Sequence, residues 1–431
     1  MDNKFINPGK EQWASLIKRP AFNYASLETI VQPILQDVKI NGDAAVKKYA
    51  AKFDGVQLTE LKVTAGEIEN SVKAVDEELK KAIEVAIKNI TTFHAAQIES
   101  VLKIQTTPGV VCWRKSIAIE RVGLYIPGGT APLFSTLLML AIPAKMAGCK
   151  NIIVCTPCDK AGNVHPAVLY AAHVLGIQNI YKIGGAQAVA AMAYGTATVP
   201  SVNKIFGPGN QYVTCAKQLI NREGIAIDMP AGPSELAVYA DDTAVPAFVA
   251  ADLLSQAEHG VDSQVVLLAS SEKMIEAVQQ QVEIQLVDLS RKDIAVKALN
   301  HSRWILMDTV DDAFEFLNAY AAEHLIIASE QAEELAEKVI NAGSVFLGNY
   351  SPESAGDYAS GTNHTLPTNG YATAYSGVSV DSFVKKITFQ QLSQQGIKNI
   401  GKAVEIMAMA EGLDGHKNAV TIRLIQSPPI P

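Results

Sequence analysis

The stretch KNIIVCTPCDKAGNVHPAVLYAAHVLGIQNIYKIGGAQ, residues 150–187, decides the fold class. A short run rich in Val and Ile, "NIIVC", precedes the helix-like segment "HPAVLYAAHVLG", and a second apolar run, "NIYKI", follows. Continuous apolar runs are typical of strands that are buried on both faces, and a helical crossover is what joins neighbouring parallel strands. The stretch therefore predicts a strand–helix–strand unit of a parallel sheet.

The same alternation extends in both directions along the chain. One series contains "RVGLYIPGG", "KNIIVCTP", "QNIYKIGGAQ" and "VNKIFGPGN", and a second contains "ELAVYAD", "SQVVLLAS", "SRWILMD", "HLIIAS" and "SVFLG". Two such series predict an α/β protein with two doubly wound parallel-sheet lobes. Pro and Gly interrupt the pattern in "IDMPAGPSE" (227–235), which we take as the junction between the lobes.

The remaining segments complete a predicted domain plan. Residues 22–100 are mostly helical in pattern, and the tail from about 380 is too short to bury a core of its own. The tail therefore has to lie on another surface, in its own chain or in a partner. We assign an N-terminal extension to 1–21, a first lobe to 22–124 and 235–379, a second lobe to 125–234, and an extended C-terminal segment to 380–431.

Composition restricts the class of protein. The chain has 431 residues, is 48% hydrophobic and 19% charged, and carries a net charge of −8, which disfavours a nucleic-acid partner. The polar N-terminus lacks the features of a signal or transit peptide, and the most apolar stretch, 131–148, is broken by prolines and a lysine. We expect a cytoplasmic protein without membrane spans, whose five cysteines are reduced thiols.

Glycine-rich turns follow three strands of the first series. They are "YIPGG" (125–129), "GGAQ" (184–187) and "GPGN" (207–210). Glycine permits close approach of a ligand to the backbone, and helix N-termini favour anionic groups. None of the turns has the G-x-G-x-x-G pattern of ordinary dinucleotide folds, so tight strand–helix turns explain them about as well as a phosphate site.

Four of the eight histidines lie beside acidic or amide residues at the ends of elements or in loops. Gln256 and His259, in "SQAEH", lie on one face of a predicted helix end, and Glu323 and His324 open a predicted strand. Adjacent residues on a strand point to opposite faces, so Glu323 and His324 reach one site only by bending out at the helix-to-strand turn, or they serve two different steps. A polar turn without a catalytic role is the alternative.

Two further segments carry candidate groups. The long loop 349–370 contains Asp357 and His364, and the tail segment "AEGLDGHKNAV" contains Glu411 and His416. Gln256, His259, Asp357 and His416 together offer oxygen and nitrogen ligands that suit Zn²⁺, Mn²⁺ or Co²⁺. Spacing alone does not establish that four distant segments converge, so the residues by themselves leave the metal site open.

The segment IAIDMPAGPSELAVYADDTAVPAFVAADLLSQAEHG (225–260) closely resembles the signature of the histidinol dehydrogenase family. The blocks "ERVGLYIPGGTAPL", "IGGAQAVAAMAYGT", "FGPGNQYV", "AAEHL", "SAGDYASGTNHTLPT" and "AEGLDGHKNAV" match in the family's order across about residues 100–425. The resemblance implies oxidation of L-histidinol through L-histidinal to L-histidine, with two NAD⁺ and one Zn²⁺ per site, in a homodimer.

The resemblance also implies roles for individual residues. Gln256, His259, Asp357 and His416 are the implied zinc ligands, and Glu323 and His324 the implied catalytic pair. Substrate contacts are implied for Ser234, His364 and Glu411, together with the ligands and Glu323; NAD⁺ contacts are implied for Tyr125, Gln187 and Asn210. Because family dimers exchange terminal segments, Glu411 and His416 are expected in the partner's site.

We therefore predict a zinc- and NAD-dependent dehydrogenase in which His324 acts as the base and Glu323 activates water. The principal alternative is a related dehydrogenase that acts on another amino alcohol. Two other classes stay open at this point: a two-lobed binding protein without chemistry, and a zinc hydrolase that uses the same ligands. The hydrolase leaves the glycine-rich turns unexplained.

Overall fold

A six-stranded parallel sheet forms the first lobe of the computed structural model, in the order β1-β11-β10-β9-β12-β13. Its strands are β1 (Lys4–Ile6), β9 (Glu235–Ala240), β10 (Gln264–Ala269), β11 (Arg303–Leu306), β12 (His324–Ala328) and β13 (Ser344–Leu347). Strands β9 and β10 are buried along their whole length, because helices cover both faces. The helices are α1 (Lys10–Leu16), α9 (Pro246–Ala257), α10 (Glu272–Gln285), α11 (Lys292–Leu299), α12 (Val310–Tyr320) and α13 (Ala332–Ala336).

A five-stranded parallel sheet forms the second lobe, in the order β6-β5-β4-β7-β8. Its strands are β4 (Arg121–Tyr125), β5 (Asn151–Thr156), β6 (Ile180–Lys182), β7 (Lys204–Phe206) and β8 (Ala226–Ile227). Its helices are α2 (Tyr24–Tyr49), α3 (Ala65–Ala74), α4 (Glu77–Ala95), α5 (Phe134–Ala147), α6 (Pro166–Val174), α7 (Gly185–Tyr194) and α8 (Gln211–Arg222). Helices α2, α3 and α4 pack on this lobe, although they lie outside the residues predicted to form it, 125–234.

The predicted architecture of two doubly wound parallel-sheet lobes is confirmed, and all nine predicted strands are present. The assignment of residues 22–124 to the first lobe is wrong for α2, α3 and α4, whose apolar faces bury against the second lobe, and for β4, which lies inside the second sheet. Amphipathic periodicity shows that a helix has a buried face but not which sheet covers it. Conversely, the predicted N-terminal extension adds β1 to the first sheet, beside β11.

A three-stranded antiparallel sheet joins the C-terminal segment to the rest of the chain. It contains β2 (Lys103–Thr107), β3 (Val110–Ala118) and β14 (Val384–Leu392), and β14 pairs with β3 along its full length. A hairpin of two helices follows, α15 (Gln394–Ala410) and α16 (Asp414–Ile425). The short helix α14 (Glu353–Tyr358) lies in the long loop after β13.

The structure describes residues 3–20, 24–128 and 132–425. The outer ends of the predicted N-terminal extension and C-terminal segment, and Gly129 of the first glycine turn, lie outside these residues. Within them, no helix combines the length and apolar character needed to cross a membrane.

Candidate active site

The Glu323–His324 pair lies at the amino-terminal edge of the first sheet. Helix α12 ends at Tyr320, and the left-handed conformation of Ala321 turns the chain so that His324 begins β12. Both side chains are buried, and Nδ1 of His324 lies 3.8 Å from Oε2 of Glu323. The backbone N–H of Glu235, at the start of the neighbouring strand β9, donates to Glu323 Oε2 at 3.0 Å. The turn thus directs two adjacent side chains toward one place.

Burial and mutual charge set the protonation of this pair. Burial raises the pKa of Glu323 to about 8, even though His324 opposes the shift. Burial acts to lower the pKa of His324, but the carboxylates of Glu323 and Asp357 outweigh it and raise that pKa to about 10. Burial therefore favours the neutral carboxyl of Glu323, and the neighbouring carboxyl groups favour the protonated imidazole of His324.

Three of the four predicted metal ligands converge on the same pair. Asp357 lies on α14, and its Oδ1 is 3.4 Å from Nε2 of His324. His259, just beyond the end of α9, is exposed on its outer side yet close enough to Asp357 and His324 for their charges to act on it. Gln256, one turn earlier, is 1% exposed. The helix end, the loop helix and the strand start therefore form one cluster.

The cluster fits a cation, because it contains a buried acceptor atom that has no hydrogen-bond partner. Oδ1 of Asp357 is a buried acceptor without a hydrogen bond. Buried acceptors without partners are costly unless an ion or another ligand satisfies them, and oxygen and imidazole donors suit Zn²⁺. No three His, Cys, Asp or Glu side chains in the described part of the chain gather closely enough to hold a metal by themselves.

The fourth predicted ligand lies elsewhere in the same chain. His416 is on α16 and Glu411 at the end of α15, both exposed on the C-terminal hairpin. Their hairpin packs on the three-stranded sheet through α15, away from the start of β12. Within this chain the structure does not bring Glu411 and His416 to the cluster.

The predicted substrate contacts Ser234 and His364 lie beside the pair. Ser234 immediately precedes β9, next to the Glu235 amide that binds Glu323. His364 has Nδ1 at 3.0 Å from the backbone oxygen of Asp357 and Nε2 at 3.2 Å from the hydroxyl of Thr136. Because Thr136 is in the first turn of α5, this contact joins the edge of the first sheet that carries His324 to the second lobe.

A cavity of about 1110 Å³ opens at the carboxyl edge of the second sheet. Tyr125, Gln187 and Asn210, the predicted NAD⁺ contacts, all line it. The Tyr125 hydroxyl accepts from the N–H of Gly185 at 3.1 Å, and burial raises its pKa to about 12. Asn210 caps α8 by accepting from the N–H groups of Tyr212 and Val213. Nε2 of Gln187 is buried without a partner, so it is available to a ligand.

Sequence reasoning missed two parts of this arrangement. Phe53 and Asp54, after α2, line the cavity although they are distant in sequence from the glycine turns. Glu353 is buried between α9 and α14, where it accepts from the hydroxyl of Ser255 at 2.7 Å. The sequence could have indicated Glu353 through its position four residues before Asp357, because that spacing places both side chains on one face of a helix.

Comparisons with known proteins agree along nearly the whole chain. The sequence profile of the family described as "Histidinol dehydrogenase" matches residues 17–424. The histidinol dehydrogenase of Bacteroides thetaiotaomicron is 61% identical to this chain, over 97% of this chain and 97% of the relative. That of Xylella fastidiosa is 51% identical, over 96% of this chain and 97% of the relative. The crystal structure of histidinol dehydrogenase from Elizabethkingia anophelis superposes with a TM-score of 0.96 at 56% identity, covering 98% of both chains.

Proposed function

The chain belongs to the histidinol dehydrogenase family and is an NAD-dependent oxidoreductase, and on that premise we propose that it converts L-histidinol through L-histidinal to L-histidine in a zinc-containing homodimer of the cytoplasm. The observation that carries the proposal is the convergence of Glu323, His324, Gln256, His259 and Asp357 on one sheet edge. A cavity suited to a dinucleotide at the edge of the other sheet supports it.

In this proposal Gln256, His259, Asp357 and His416 hold the metal. Zn²⁺ supplies a template that orients the substrate through its amino and imidazole nitrogens, and NAD⁺ supplies the hydride acceptor. Tyr125, Gln187 and Asn210 contact the dinucleotide. Ser234, His364 and Glu411 contact the substrate.

The chain's own groups handle the protons. His324 accepts the hydroxyl proton as the carbinol hydride leaves, which gives the aldehyde. Glu323 takes a proton from water as that water adds to the aldehyde carbon. After His324 has passed its first proton to solvent, it accepts the proton of the resulting hydrate while the second hydride leaves, so that one alcohol and one water become a carboxylate, two hydrides and three protons. Asp357 would hold the metal, and a carboxylate shared with a cation would stabilise the protonated imidazole of His324 less.

The C-terminal hairpin supports the dimer. Ile406, Met407 and Met409 on α15 and Ile425 on α16 are each more than half exposed. Several exposed apolar side chains on one hairpin are typical of an interface with another chain. Because the hairpin also carries Glu411 and His416, its docking on a partner completes the cluster there in this proposal.

The test is absorbance at the NADH band with L-histidinol as substrate. We expect two NADH for each histidinol consumed, loss of activity on chelation, and recovery with Zn²⁺. One NADH per histidinol with free aldehyde accumulating contradicts the proposal. Faster reduction of NAD⁺ with another amino alcohol favours the related dehydrogenase instead.

A further inference from the structure

Glu353 is a buried carboxyl to which the proposed mechanism gives no role. It is 1% exposed and is the first residue of α14, four residues before Asp357. Its surroundings belong to α9, the helix that carries Gln256 and ends beside His259. The carboxyl thus lies between two elements that each supply a proposed ligand.

Glu353 contacts two consecutive residues of α9. The hydroxyl of Ser255 donates to its Oε1 at 2.7 Å. With the amide of Gln256 oriented so that donors face acceptors, Nε2 donates to both carboxyl oxygens of Glu353 at 3.0 Å. In the same orientation Oε1 of Gln256 lies 3.1 Å from the backbone N–H of Glu235 and shares that donor with Oε2 of Glu323.

These contacts decide which end of the Gln256 amide is free. A glutamine amide is nearly symmetric in shape, but only its oxygen carries lone pairs for a cation. The nitrogen end suits Glu353, because an N–H group there lies within hydrogen-bond distance of both carboxyl oxygens. The oxygen end has two lone pairs, and the Glu235 amide engages only one of them. The second lone pair stays available beside the cluster.

We propose that Glu353 is a positioning residue that holds Gln256 with its carbonyl oxygen toward the metal and ties the end of α9 to α14. This inference rests on the proposed function, in which Gln256 is a zinc ligand. Hydrogen-bond partners of metal ligands fix ligand orientation, and their loss typically weakens metal affinity about 10–100-fold.

The experiment measures the Zn²⁺ affinity of the metal-depleted protein by competition with a chromophoric chelator. Glu353→Gln keeps the side-chain volume but adds an N–H donor, which stabilises the inverted Gln256 amide equally well. We expect about 10–100-fold weaker Zn²⁺ binding in this variant. Glu333→Gln, an exposed glutamate on α13, is the matched control and should bind Zn²⁺ as the parent does.

A double-mutant cycle separates positioning from general structure. Gln256→Ala should weaken Zn²⁺ binding, and adding Glu353→Gln should then have no further effect, because the group being oriented is gone. Additive losses, or unchanged affinity in Glu353→Gln, overturn the inference while leaving the proposed function intact. Unchanged affinity in Gln256→Ala, or no Zn²⁺ binding by the parent, overturns the ligand set itself.

Folding is checked independently by NAD⁺ binding and by the midpoint of thermal unfolding. If Glu353→Gln does not fold, Ser255→Ala replaces it in the double-mutant cycle with Gln256→Ala. It removes one contact that fixes the carboxyl and should weaken Zn²⁺ binding a few-fold, again only when Gln256 is present. An equal loss from Ser255→Ala with and without Gln256 contradicts the inference.

Discussion

The two lobes use opposite edges of their parallel sheets. In the first lobe the clustered side chains lie where strands begin, at Glu235 and His324, and where α9 and α12 end. In the second lobe the cavity lies where strands end, at Tyr125, and where α7 and α8 begin. The contact between Thr136 and His364 joins the two edges.

This difference has an electrostatic consequence. Helix C-termini carry partial negative charge and helix N-termini partial positive charge. The first lobe therefore presents an edge that favours a metal ion and a protonated imidazole. The second presents an edge that favours the phosphates of a dinucleotide. The two lobes thus share one fold class but use opposite sheet edges, one for the proposed metal and proton transfers and the other for the proposed dinucleotide.

The variant expected to have the largest effect removes His324, the proposed base of the first lobe. We expect His324→Ala to lower kcat on the order of 10³-fold for both oxidations, because proton transfer by a positioned group contributes about that much. Steady-state rates with L-histidinol and with supplied L-histidinal measure it. NAD⁺ binding should be unchanged, and a variant that keeps one of the two oxidations would refute the shared base.

The second test asks whether the first lobe is completed by a partner. His416→Ala and His324→Ala chains, each inactive alone, are co-expressed with different tags and the hybrid dimer is purified. If residue 416 acts in the partner's site, one of two sites is intact and about half of the parent activity returns. An inactive hybrid indicates that His416 acts within its own chain.

Glu323→Gln should have a smaller and selective effect. We expect the aldehyde oxidation to slow about 10²-fold, because water is no longer deprotonated, and the alcohol oxidation to change far less. Comparison of single-turnover rates with the two substrates tests this. Equal losses in both oxidations would contradict the division of labour between Glu323 and His324.

Changes in the second lobe should affect the dinucleotide alone. Tyr125→Phe removes the hydroxyl that accepts from Gly185, and we expect the KM for NAD⁺ to rise about 3–10-fold, as one hydrogen bond is worth about 0.5–1.5 kcal/mol. The kcat and the Zn²⁺ affinity should stay the same. A change in Zn²⁺ affinity would mean that the two edges are not functionally separate.

The smallest expected effect concerns stability. Burial raises the pKa of Asp252, on α9, to about 7. Between about pH 4 and 7 this carboxyl is protonated when folded and ionised when unfolded, so stability falls as pH rises through that window. Asp252→Asn should therefore gain roughly 1–3 kcal/mol of unfolding free energy at pH 8 and nothing near pH 4. Denaturant unfolding measures it, with the exposed Asp293→Asn as the control.

Sequence patterns predicted the two lobes because long buried parallel strands such as β9 and β10 read as continuous apolar runs. They missed β1, which has three residues and no period, and β2, which is almost entirely exposed. They also missed β3, β8 and β14. The edge of the first sheet was also unpredictable from strand positions, because the usual rule places ligands at carboxyl ends.

The candidate site shows a similar division. The family resemblance supplied the residues that the structure gathers around His324. Glu353 escaped notice because "SPESAGDY" has the composition of a loop, and its burial depends on how α14 packs against α9. Contacts between segments a hundred residues apart are set by tertiary packing, which periodicity does not encode.

The pairing of β14 with β3 joins residues 384–392 to residues 110–118. During synthesis, β3 leaves the ribosome long before its partner strand exists, and β1 likewise waits for β11. Because domains fold as their segments emerge, most of the second lobe is able to form first, although Val378 and Phe383 complete its core later and the first lobe must await residues beyond 300. A nascent chain therefore holds most of the second-lobe cavity well before it has the sheet edge that carries His324.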